Sequence, residues 1–127
     1  MTSIPTIAEA SQLIARKALS PVELTAACAA RIEATQDTLH AFITPTLERA
    51  AEAARVAERE IARGNYRGAL HGIPIALKDI YETAGIPTTA HSRQLLGNVP
   101  ATDATVVRKL GEAGTILMGK LATHEFA

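Results

Sequence analysis

The sequence predicts an α/β fold, with amino-terminal helices followed by strand, loop, helix and strand. Three observations predict it. Hydroxyl residues followed three places later by glutamate, Thr6 with Glu9 and Ser20 with Glu23, mark two helix starts in the first part of the chain. Two short apolar runs, at 73–77 and 115–118, are bounded by Gly and Pro and are too short for helices. Between them Val106, Val107 and Leu110 recur at helical spacing. Strand, crossover and strand of this length most simply form a parallel pair with a right-handed connection. The carboxyl ends of both runs then share one edge of the sheet.

Taken in order, Ile7, Ala10, Leu13 and Ile14 follow the Thr6 cap at helical spacing, so a first helix is expected to about Ala18. Ser20-Pro21-Val22-Glu23 starts a second, because proline at the first helical position presets φ. Leu24, Ala27, Cys28 and Ile32 form its apolar stripe, Glu33, Gln36 and Asp37 lie off it, and it ends between Thr35 and Leu39. Leu39 to Ile43 reads as a short strand in which His40 is a surface or partly satisfied residue. A third helix runs from Pro45, with Leu47, Ala50, Ala54, Ala57 and Ile61 inward and Gly64 as its left-handed stop. Its small-residue spacing lasts about two heptads, which favours packing on the chain's own sheet over a coiled-coil partner.

The organising stretch is Gly72-Ile73-Pro74-Ile75-Ala76-Leu77-Lys78-Asp79. Its apolar run argues for a strand buried on both faces, with Pro74 near the start, where no ladder donor is needed. Lys78 then lies at the carboxyl end, the edge where α/β sheets build sites. Many such lysines are only solvated strand stops, and Lys120, after Thr115-Ile116-Leu117-Met118, occupies the equivalent place on the second strand. Position alone does not separate the two. After Lys78, Gly85, Pro87, Gly97 and Pro100 break up a loop of functional length that carries Thr88, Thr89, His91 and Ser92. Those hydroxyls serve equally well to satisfy turn backbone or to face a substrate. Thr102 or Asp103 caps the following helix and Gly114 ends it.

Composition narrows the function class. The 127 residues, 47% of them hydrophobic, suit one modest core, and thirteen basic residues balance thirteen acidic ones. No strongly charged face recommends nucleic acid or an anionic membrane as partner. The lone Cys28 cannot pair within the chain and reads as a buried apolar thiol of a reducing, cytoplasmic setting. No run nears the roughly 18 apolar residues of a membrane span, the Met-Thr-Ser-Ile-Pro start lacks a signal-peptide pattern, and no metal or cofactor spacing is seen.

Several segments, in register, closely resemble the amidase signature family. They are Leu70-His71-Gly72-Ile73-Pro74-Ile75-Ala76-Leu77-Lys78-Asp79, Gly85-Ile86-Pro87-Thr88-Thr89, Asp103-Ala104-Thr105-Val106-Val107, and Gly119-Lys120-Leu121-Ala122-Thr123-His124-Glu125-Phe126-Ala127. The resemblance implies a mixed sheet with surrounding helices, an amidase acting on a small-molecule amide, and a Ser, cis-Ser, Lys triad whose lysine falls on Lys78. It also implies that Glu125 and Phe126 face the substrate. A lysine accepts a proton only when neutral, a form that desolvation by Ile75, Leu77 and Ile80 would favour. Asp79 need not oppose this, because consecutive side chains of an extended backbone point to opposite faces.

The chain's serines are Ser3, Ser11, Ser20 and Ser92. The glycine- and serine-rich loop that carries the family's nucleophile is not among its segments, so residues 1–127 are expected to be the amino-terminal portion of a single domain, inactive alone. His91 stands where many members carry glycine, and Leu121-Ala122-Thr123 replaces a commoner Thr-Asn-Met, which bears on pocket shape and substrate preference. Lys78→Ala in an extended enzyme is then expected to abolish most activity, with Lys120→Ala and Ser92→Ala mild. Three other readings stay open: the A subunit of a glutamyl-tRNA amidotransferase, a small enzyme with a Ser92 and Lys78 dyad, and a non-catalytic interaction module built on the alanine-rich helices. Unpaired strand edges would favour homo-oligomers.

Overall fold

The computed structural model describes residues 3–127, so that Met1 and Thr2, part of the start read for a signal peptide, lie outside the described residues. Four helices, α1 (Ile7–Ala15), α2 (Pro21–Leu39), α3 (Leu47–Ala62) and α4 (Thr105–Glu112), accompany three strands, β1 (Phe42–Pro45), β2 (Pro74–Lys78) and β3 (Ile116–Leu121). The strand order is β1-β3-β2. β2 runs parallel to β3, with Lys78 opposite Leu121, while β1 is antiparallel to β3. The fold class and the parallel pair are as the sequence indicates.

Both expected capping boxes form. The Thr6 and Ser20 hydroxyls accept backbone N–H groups of the first turn, and Glu9 and Glu23 reach back to the cap N–H groups. α1 stops at Ala15, short of Ala18, because Lys17 takes a left-handed conformation at φ 59° with no glycine to announce it. α2 reaches Leu39 and is closed by His40 at φ 47°, so β1 begins only at Phe42. Gln36 starts that strand. Its amide donates to the Phe42 carbonyl at 2.7 Å and accepts from the Phe42 N–H at 3.1 Å. α3 begins at Leu47, beyond Pro45, because the Thr46 hydroxyl donates to the Leu117 carbonyl on β3 and does not cap.

The core has two linked parts. Ala10, Ile14, Leu24 and Ile61 join α1, α2 and α3 to Ile73, while Ala50 and Ala54 of α3 pack on Ile116 and Met118 of β3. Alanine on α3 allows its backbone to sit close to the central strand. Gly119 serves the same purpose from the strand: at φ 149° a Cβ there would lie 2.5 Å from the Thr44 carbonyl oxygen and block β1. β2 differs from its expected full burial, since Pro74, Ile75 and Ala76 are only half-buried. It is an edge strand, and a groove of about 350 Å³, lined by Ile75, Leu77, Leu117, Val107 and Leu110, runs between the sheet and α4.

At the amino end of β2, His71 is 1% exposed and closely surrounded. Its Nδ1 accepts the Arg67 N–H at 3.1 Å, so its proton sits on Nε2, 3.0 Å from a Glu60 carboxylate oxygen. Tyr66 stacks on the ring, and Gly114 leaves room for it, since a Cβ there would fall 2.5 Å from Cδ2. Burial pushes the His71 pKa below its ordinary 6.5, against the pull of Glu60. The unfolded chain therefore binds this proton at a higher pH than the folded one. Stability contributed by neutral His71 is present above about pH 6.5 and is lost as pH falls through the lowered folded value. Glu60, whose pKa the Arg67 contact lowers from 4.5, removes more below that value. Melting of the chain between pH 8 and 5 is expected to show a fall in Tm on acidification. His71→Gln should flatten the slope between pH 6.5 and 5, whereas an unchanged slope would assign it to other groups.

Candidate active site

The parallel pair brings Lys78, Asp79 and Lys120 to one edge of the sheet, as the sequence indicates, but in unequal environments. Lys78 is half-buried, and among the described residues its Nζ has no hydrogen-bond or ion-pair partner. Leu77 beside it is buried, whereas Ile80 is exposed. Lys120 and Asp79 are both 0% exposed. The Lys120 ammonium donates to the Tyr81 carbonyl and to the Thr88 hydroxyl, each at 2.8 Å, and lies 3.2 Å from Asp79 Oδ1. Burial pushes the Lys120 pKa down, and the Asp79 carboxylate opposes that shift.

Asp79 therefore points away from any pairing with Lys78, as alternation along extended backbone requires. Its Oδ2 accepts from the Thr89 N–H at 3.0 Å and the Thr89 hydroxyl at 2.6 Å. Its backbone is equally held: the N–H donates to the Leu121 carbonyl at 3.0 Å, and the carbonyl accepts from Ala90 N–H at 2.8 Å. Ala90 in turn accepts from the Phe126 N–H at 2.9 Å, so a single residue joins the strand end to the terminal turn.

The loop after β2 is far from a loose connection. Thr83, Ile86, Thr88, Thr89 and Ser92 are buried. Asp103 does not cap α4, as expected from its position; its Oδ1 accepts the Ala84 N–H at 2.7 Å and pins the loop, and Ala104 takes the cap position. Ala90 and His91 lie at φ 47° and 57°, a left-handed pair of non-glycine residues. The His91 imidazole, itself exposed, meets the Thr123 carbonyl, and the His91 backbone N–H donates to the Thr89 hydroxyl at 3.1 Å. Ser92 Oγ accepts from the Gln94 N–H at 3.3 Å, which makes it the cap of a short 3₁₀ turn at Arg93–Leu95. Glu125 and Phe126, both exposed, form the terminal turn; Phe126, 57% exposed at φ 51°, lines a groove of about 240 Å³ with Ile80, Glu82 and Asn98. The Asp79, Lys120, Thr88 and Thr89 cluster is what sequence reasoning missed; the shared sheet edge was legible, but nothing local in the sequence joins these four side chains.

A partly exposed amine next in sequence to a buried, charge-compensated cluster can, in its neutral form, exchange a proton while its supports stay in place. A model of the amidase family matches residues 23–127. The chain belongs to the amidase family. Among curated amidase-family relatives, the A subunit of the glutamyl-tRNA(Gln) amidotransferase of Anaeromyxobacter sp. (strain K) is 50% identical over 119 residues, 94% of this chain and 24% of that protein. The corresponding subunit of Moorella thermoacetica is 49% identical over 119 residues, with the same coverage. The peptide amidase from Stenotrophomonas maltophilia superposes with a TM-score of 0.89 at 36% identity, over 95% of this chain and 25% of that one. A bacterial aryl acylamidase of the amidase signature family superposes with a TM-score of 0.87 at 26% identity, over 97% and 26%. This amidase-family chain thus spans about a quarter of the length of the proteins it matches. Among the described residues no group of three metal-ligating side chains gathers, and no helix is long and apolar enough to cross a membrane.

Proposed function

We propose that this chain carries the proton-accepting lysine, Lys78, of an enzyme that cleaves the carbon–nitrogen bond of a small-molecule amide, and that it forms the amino-terminal portion of that enzyme's single domain. The observation that carries the reading is the contrast between two lysines at one sheet edge. Lys120 is enclosed and committed to oxygens of Asp79, Thr88 and Tyr81, whereas Lys78 is partly open and uncommitted. Of the two, Lys78 is the amine free of other partners among the described residues, and in its neutral form it can take a proton from a neighbouring hydroxyl and later return it to the leaving nitrogen. Cleaving an amide also needs a nucleophile and oxyanion donors, which the resemblance assigns to a serine, a cis-serine and their loop. Glu125 and Phe126, tied by Ala90 to the same edge, are the residues we assign to the substrate side. A cytoplasmic setting suits the lone Cys28.

A second reading, ammonia transfer in place of hydrolysis, draws on the 46–50% identity to subunits named for glutamyl-tRNA(Gln) amidotransferase. The test is a graft in which this chain replaces the matching quarter of the Stenotrophomonas maltophilia peptide amidase, alongside a second graft into the Anaeromyxobacter amidotransferase protein. Hydrolysis by the first graft within about tenfold of its host supports the amidase reading, and activity kept only in the second supports transfer. Amide turnover by the 127-residue chain alone that vanishes on Ser92→Ala would overturn both and establish the serine–lysine dyad.

A further inference from the structure

We infer that Asp79 is a positioning residue for Lys78, holding the amine's backbone in place through a buried clamp made with Lys120 and Thr89. The inference rests on the reading of Lys78 as the base. Asp79 is the next residue after Lys78, and its side chain and main chain are both engaged: one carboxylate oxygen by the Lys120 ammonium, the other by two donors of Thr89, the N–H by Leu121, and the carbonyl by Ala90. These partners come from β3 and from the loop after β2, so the peptide following Lys78 is fixed from two directions. The strand fixes the preceding side, where Leu77 pairs with Lys120 in the β2–β3 register. Lys78 is left with only its side-chain torsions free.

An ion pair enclosed to this degree is a poor device for stability. The desolvation of two charges consumes most of their attraction, and apolar residues of similar size commonly serve as well or better. What such a pair does supply is one geometry, because neither charge tolerates an alternative in which it is unpaired. Fixing a reacting group to within a fraction of an ångström is worth a great deal in rate, since a displacement of about 1 Å costs on the order of 10²-fold. The same clamp holds Ala90, whose carbonyl receives the Phe126 N–H, so the amine and the terminal turn are registered to one another by Asp79.

The test is a double-mutant cycle in the peptide amidase graft, with rates taken per titrated active site. Asp79→Asn keeps the shape and removes the charge. It is expected to lower kcat by about 10²-fold with KM held within about twofold. In a Lys78→Ala background, the same substitution should change the residual rate by less than about twofold, because a residue that acts through Lys78 has nothing left to position. An equal loss in both backgrounds would show a purely structural role and overturn the inference, as would Asp79→Asn with the rate of the parent. Should Asp79→Asn fail to fold, Asp79→Asn with Lys120→Met leaves no unpaired charge and is read by the same two comparisons. If Lys78→Ala itself left the rate unchanged, the base assignment would fall, and this inference with it. A large loss from Lys78→Ala with none from Asp79→Asn would sink the clamp alone.

Discussion

Lys78→Ala in the peptide amidase graft is expected to lower kcat/KM by about 10²- to 10⁴-fold, the usual cost of removing a general base, and by more where the residues act as one unit. The fold should be untouched. Lys78 is half-buried at the end of an edge strand, and no side-chain hydrogen bond or ion pair of the described residues depends on it. Thermal melting of the variant is therefore expected within a few degrees of its parent, so the rate loss can be assigned to chemistry. Ser92→Ala should leave the rate near its parent value, because the Ser92 hydroxyl serves the 3₁₀ turn. A Lys78→Ala graft that kept a tenth or more of its activity would remove the lysine from the mechanism.

Lys120→Met is expected to act in the opposite way, chiefly on stability. The enclosed Asp79 carboxylate would lose its ammonium partner among the described residues, and breaking a buried pair by deleting one member typically costs about 3–5 kcal/mol. Denaturant unfolding of the peptide amidase graft measures this directly. Adding Asp79→Asn to Lys120→Met removes the stranded charge and should recover more than half of the loss, whereas a double variant as weak as the sum of the two singles would show that the charges are not coupled. The mild effect that the resemblance implied for Lys120→Ala concerned activity; the enclosure of Lys120 adds an expected cost in stability.

How much of this was legible depended on distance along the chain. The capping boxes at Thr6 and Ser20 are complete within four residues, and both formed. The parallel pairing followed from a general rule of connection, which by itself places Lys78 and Lys120 together. Signals failed where a polar side chain had two partners to choose from. Asp103 and Thr46 stand where caps belong, yet each bonds to a remote backbone group, Ala84 N–H and the Leu117 carbonyl, and Gln36, off the stripe of its helix, starts β1. The Asp79 clamp was out of reach for the same reason. Its partners, Lys120 and Thr89, come from separate segments that only the finished sheet brings together.

β3 is the middle strand of the sheet and also the last of the three to be synthesised. β1 and β2 flank it and do not pair with one another, so neither can complete a ladder until Ile116–Leu121 has been made. On the ribosome, α1, α2 and α3 can pack early through Leu24 and Ile61, but Ala50 and Ala54 must wait for Ile116 and Met118. Contacts of such long sequence separation slow folding, because the loop between the partners has to close before any of them forms. The strand bearing Lys78 therefore emerges long before its neighbour. It spends that interval as an unpaired apolar segment, open to chaperones and to other chains.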